Sequence, residues 1–184
     1  MDKVIYLFRK VGEEMRIESI EEKAKDTIEK YSFNEFPIDP VKIALKVGIA
    51  VRDVQFKDIA EDSVCGGIIK ENESIEIYVN KYDPINRKRF TIAHELGHYF
   101  LGHLENKGEC IDLHRDINNE NKIIEIQANA FAAALLMEKN RVEYSFKTLK
   151  KVGFSNENII LELSKIFAVS ASAMNLRVQK LGLM

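Results

Sequence analysis

The sequence predicts an α+β fold, and three stretches of the 184-residue chain carry that expectation. Residues 64–80 alternate apolar and polar side chains on either side of a polar turn, the pattern of a β-hairpin. Residues 85–100 follow almost at once, with apolar positions at helical spacing. Residues 120–137 are Ala-rich and apolar nearly all the way round a helix, the mark of a core helix. Strands followed by helices, with no repeating βαβ order, give a small antiparallel sheet packed on helices.

Taken in order, residues 13–31 mix Glu and Lys with Met15, Ile17, Ile20, Ala24 and Ile28, an amphipathic helix that packs one face on the domain. Asp39-Pro40 starts a second helix, Asp as N-cap and Pro at the first helical position, and Gly48 closes it. Ile49 to Phe56 favour a strand through their β-branched content. In the hairpin, Val64–Lys70 and Ile75–Asn80 flank the turn at Glu71 to Ser74, and Ile75, Ile77 and Val79 form its buried face. Asp83-Pro84 repeats the helix start, Ile85, Ile92, Leu96 and Tyr99 or Phe100 mark the buried face, and Gly102 falls just past the end. Residues 104–119 are polar and read as a mobile loop. Ile160 to Gly182 reads as helix, Val169-Ser170 turn and helix with Ser170 as N-cap, the outline of a helix-turn-helix. These elements divide into residues 1–138, holding the chemistry, and a helical subdomain over 139–184 packed on it as one unit.

A hydrophobic content of 46% and a charged content of 30% are ordinary for a globular protein, and a net charge of −2 gives no global case for nucleic-acid binding. The charge is uneven: residues 139–184 hold eight Lys or Arg against three Glu, a net of +5. Cys65 and Cys110 form neither a zinc spacing nor a disulfide framework, which suits a reducing cytoplasm. The apolar run near the first residue is five residues long, too short for a signal-peptide core, and Ala130–Met137 is far short of a membrane span. A soluble, cytoplasmic protein without a membrane partner is expected.

The chemistry is concentrated in His94-Glu95-Leu96-Gly97-His98. On a helix His94 and His98 lie one turn apart, about 40° apart around the axis, so two imidazoles can close on one zinc ion. Glu95 is rotated about 100° away, where it can take a proton from a water beside the ion. Glu125 and Asn129 stand one turn apart on the core helix. A buried carboxylate needs a partner, and a zinc ion held by two neutral imidazoles is one. An exposed position near the helix N-terminus, where a carboxylate is also favourable, accounts for Glu125 equally well. Asn129 is a candidate to orient a ligand. His103 could do the same or assist an oxyanion, although Gly102 ends the helix before it and favours a structural role. Arg87 and Arg89 read as solvated, and Tyr78, Tyr82 and His114 receive no role.

The stretches Arg89–His103 and Glu125–Met137, with Asp39-Pro40, Ile77–Asn80, Phe167–Ser170 and Arg177–Leu183, resemble the ImmA/IrrE-type metallopeptidases, gluzincin-like HExxH proteins of bacteria and their mobile elements. Glu138 stands where that family often has proline. The resemblance implies a zincin-like fold whose sheet packs on the HExxH active-site helix and on a second, ligand-bearing core helix. It implies one zinc ion per chain on His94, His98 and Glu125, with Glu95 as general base. It further implies a metallo-endopeptidase that cleaves a helix-turn-helix repressor, and so acts as an antirepressor for a phage, a mobile element or a stress response. A peptide could lie antiparallel along residues 75–80 if that strand is an edge.

Two other classes remain open on the sequence. One is a non-catalytic antirepressor that sequesters its repressor and keeps a structural or vestigial metal site. The other is a DNA-binding regulator using residues 156–181, whose second helix offers mainly Arg177 and Lys180.

Overall fold

In the computed structural model, which describes residues 9–10, 13–14, 17–32, 35–56, 66–72, 74–104 and 119–184, a short strand pair precedes the first helix. Strands β1 (Arg9–Lys10) and β2 (Glu13–Glu14) pair antiparallel. Helix α1 (Ile17–Tyr31) therefore begins later than the amphipathic pattern suggests, because Glu13 and Glu14 belong to that ladder. Its inner face is Ile20, Ala24 and Ile28, spaced one turn apart and buried. Helix α2 (Pro40–Lys46) starts as expected: the Asp39 carboxylate accepts the Val41 N–H at 3.0 Å, and Pro40 fills the first turn where no N–H is needed.

The sheet corrects two expectations. Strands β3 (Ala50–Val54), β4 (Gly66–Glu71) and β5 (Ser74–Asn80) form a mixed sheet in the order β3-β5-β4, with β3 parallel and β4 antiparallel to β5. The sheet is thus not purely antiparallel, and residues 75–80 are its centre rather than an edge. Period-2 alternation fixes which face of a strand is buried, not which neighbours it takes. The face reading holds for Ile77 and Val79, which are buried with Ile68 under helix α3 (Ile85–Phe100). On the other face Tyr78 Oη donates to Glu76 Oε2 at 2.6 Å and Arg52 pairs with Glu76 at 3.0 Å. Those bonds hold the Glu76 carboxyl below its ordinary pKa and push the Tyr78 hydroxyl above its own.

Helix α3 also starts one residue later than predicted. Pro84 takes the N-cap position without a side-chain cap, and Asp83 instead pairs with Arg87 at 3.5 Å. Ile85, read as part of the buried face, is 70% exposed, whereas Ile92 and Leu96 are buried. Arg89 is not solvated: Nε donates to the Ala168 carbonyl at 3.0 Å and Nη2 to the Ile38 carbonyl at 2.6 Å, and burial lowers its pKa.

Helices α4 (Asn119–Leu136), α5 (Lys139–Lys151), α6 (Asn156–Ile166) and α7 (Ala171–Lys180) complete the chain. Glu138 caps α5, its carboxylate accepting from the N–H groups of Asn140 and Arg141, both at 2.9 Å. That supplies the turn which proline would otherwise define. Ser170 caps α7 by accepting the Ala173 N–H at 3.1 Å, as its sequence position predicts. Helices α6 and α7 meet at 113°, within the range of a helix-turn-helix pair. Arg177, one of the two cations that the DNA-binding alternative would use, is only 5% exposed. It donates to the Met137 carbonyl at 2.9 Å and grips the Glu21 carboxylate with both terminal nitrogens. No single described helix is long and apolar enough to cross a membrane. Cys65, Cys110, His114 and the loop over 105–118 lie outside the described residues.

Candidate metal centre

The site depends on how closely α3 and α4 approach. Gly97 lies against Ala128: a Cβ there would meet the Ala128 Cα and carbonyl oxygen at 3.0 Å and the Phe131 Cβ at 3.3 Å. The absent side chain lets the backbones nearly touch. Phe100 stacks on Phe131 one turn further along, ring centres 5.7 Å apart. Glu125, one turn before Ala128, is thereby carried to the histidines of α3.

Three ligand-type side chains converge at this contact. His94 Nε2 lies 3.0 Å from His98 Nε2 and 3.2 Å from Glu125 Oε2, and His98 Nε2 lies 3.4 Å from Glu125 Oε1. Donors bound tetrahedrally to zinc, with bonds of about 2.0–2.2 Å, stand about 3.3–3.6 Å apart, and the separations here lie within or a few tenths of an ångström below that spacing. Among the described residues this is the group able to hold a metal ion. His94, Glu95 and His98 are buried, and the Glu125 side chain is 24% exposed, which leaves one side open.

The other ring nitrogens are held as well. His94 Nδ1 lies 3.1 Å from Asn129 Oδ1. An amide oxygen can only accept, so His94 carries a proton on Nδ1, and Nε2 is the nitrogen it turns toward the triangle. His98 Nδ1 lies 3.0 Å from His103 Nδ1. Two imidazole nitrogens and a carboxylate facing one another at these distances call for positive charge between them. The electrostatics of His94 express that demand: burial pulls its pKa down, but the Glu125 hydrogen bond, the Glu95 charge and Asn129 together raise it above the ordinary histidine value. The donor set and its charge therefore fit a divalent cation.

His103 owes its place to the end of α3. Gly102 has φ +75°, its N–H bonds the Tyr99 carbonyl at 3.1 Å, and the His103 N–H bonds the His98 carbonyl at 2.9 Å. That is a Schellman turn, and it folds His103 back onto the turn carrying His98. The same Gly102 that favoured a structural role for His103 is what brings it close to His98. Sequence reasoning missed Gln127, whose Oε1 lies 2.9 Å from His103 Nε2 and which is 3% exposed. A polar side chain on a helix apolar nearly all round was the available signal, the one already used for Glu125.

The family model described as the IrrE N-terminal-like domain, peptidase M78, matches residues 46–179 of this chain. The chain belongs to that peptidase family. The matched span takes in α3, α4 and all three residues of the metal triangle. No curated protein matches the chain. Among solved structures, a Mycobacterium tuberculosis transcriptional regulator is similar in fold, with a TM-score of 0.54 at 13% identity. The alignment covers 85% of this chain but spans only 45% of that one, so the likeness is to part of a longer protein.

Proposed function

We propose that the protein is a zinc-dependent metallo-endopeptidase with His94, His98 and Glu125 as metal ligands and Glu95 as general base. The observation that carries this is the triangle of two imidazole nitrogens and a carboxylate, 3.0–3.4 Å on a side, beside a buried glutamate. Two histidines and a glutamate are the donor set of a catalytic zinc site that leaves the fourth position open. Zinc held there supplies Lewis acidity toward a scissile carbonyl and toward the attacking water.

The chain's own residues do the rest. Glu95 takes the water's proton and delivers it to the leaving amine. Asn129 and His103 fix the rings of His94 and His98 from behind. Among the described residues β4 is an outer strand of the sheet, and it packs on α3; an extended peptide added to it by strand addition would take the part residues 75–80 are too central to play. The substrate class is a helix-turn-helix repressor, which makes the protein a cytoplasmic antirepressor of a phage, mobile element or stress response. Membership of a peptidase family supports the reaction, and a likeness in fold to a transcriptional regulator agrees with a place in gene control.

The test is Glu95→Gln against wild type, with a co-expressed helix-turn-helix repressor. Loss of repressor cleavage by about 10²-fold or more, with zinc content unchanged, is expected. Derepression that survives this substitution would instead identify sequestration as the mechanism.

A further inference from the structure

We infer that Gln127, through His103, sets which nitrogen of His98 faces the metal, and so acts as a positioning residue for that ligand. This relay presupposes the metal triad proposed above. His98 can bind a cation through Nε2 only if its proton sits on Nδ1, and a buried Nδ1–H needs an acceptor. The acceptor is His103 Nδ1 at 3.0 Å. An imidazole is ambiguous in that role, because either of its nitrogens can hold the proton.

Gln127 removes the ambiguity. Its Oε1, 2.9 Å from His103 Nε2, has no proton to give, so His103 Nε2–H donates to it and His103 Nδ1 is left bare. His98 Nδ1–H then donates to His103, and His98 Nε2 is the nitrogen left to offer its lone pair to a cation in the triangle. With the amide reversed, every proton in the chain would shift by one bond and His98 Nε2 would carry a hydrogen. His94 reaches the same state through one amide, Asn129; His98 needs two groups because its neighbour is another histidine. Gln127 pays for this: it is buried in an apolar helix, and its Nε2 finds no acceptor among the described residues. An apolar residue would satisfy packing alone.

The experiment is zinc affinity of the full chain by competition with a chromophoric chelator, for wild type, Gln127→Met and Gln127→Glu, with urea unfolding of each apoprotein as control. Methionine is close in volume and removes the acceptor; glutamate keeps an acceptor oxygen. The expected result is a ten- to hundredfold loss of affinity in Gln127→Met, about the effect of losing an outer hydrogen bond on a metal-bound histidine. Gln127→Glu should stay within about threefold of wild type. In the zinc-loaded protein labelled with ¹⁵N-histidine, the His98 Nδ1–H resonance should be visible in wild type and Gln127→Glu and broadened by exchange in Gln127→Met. A Gln127→Met protein with wild-type affinity and an intact Nδ1–H signal overturns the relay alone. So does a Gln127→Glu protein as weak as Gln127→Met. Wild type that takes up no zinc overturns the triad, and the relay with it.

Discussion

His94 and His98 owe their pairing to four-residue spacing on one helix, which is why the sequence exposes them directly. Glu125 required a second step, the cost of a carboxylate on a core helix, and the residues alone left it balanced against an exposed position. The structure brings Glu125 to 3.2 Å from His94. Gln127 carries the same signal, a polar group on a core helix, but not its direction, and Gly97 carries no such signal. Gln127 lies two residues from Glu125, off its helical face, and reaches the site only because His103 is folded back toward it. Gly97 looks like a filler inside the motif, and its importance depends on Ala128 of another helix. Gly97→Val is expected to lower stability by about 1–3 kcal/mol, since the atoms it would strike include backbone and cannot rotate away. The valine also forces α3 and α4 apart, so zinc affinity falls with it. Urea unfolding and metal titration check both; a protein as stable and as metal-avid as wild type would refute a contact set by Gly97.

At the scale of elements, the starts and stops of helices were the most legible feature. Asp39, Ser170 and Gly102 all do what their residue types suggest. Strand order was not, because alternation marks the buried face of each strand and carries no information about its neighbours. The place of Arg177 was not legible for a related reason: its partners, Glu21 of α1 and the carbonyl at the end of α4, are distant in sequence. The cation that a DNA-binding reading would need on the surface is a clamp joining α7 to α1 and α4. Arg177→Met should cost about 2 kcal/mol in urea unfolding, the scale of hydrogen bonds to a charged group. The Glu21 side chain is 33% exposed, so the larger penalties of fully buried pairs do not apply. Unchanged stability would contradict the clamp.

For the whole molecule, one buried cluster runs from Ile20 of α1 to Val178 of α7, and the α3–α4 contact at its centre carries the metal triangle. Arg89 links α3 to the α6–α7 turn at Ala168, and Arg177 links α7 to α1, so the helical C-terminal region is bonded to the elements that hold the site. A pattern of apolar positions can announce each helix, but not these long-range bonds.

The most direct measurement is the metal content of protein purified without a metal-affinity tag, wild type beside Glu125→Ala. About one zinc per chain in wild type and a marked loss in the variant are expected of a three-ligand site. Wild type that holds no metal and takes up none on titration, or a variant that retains zinc as well as wild type, would contradict it.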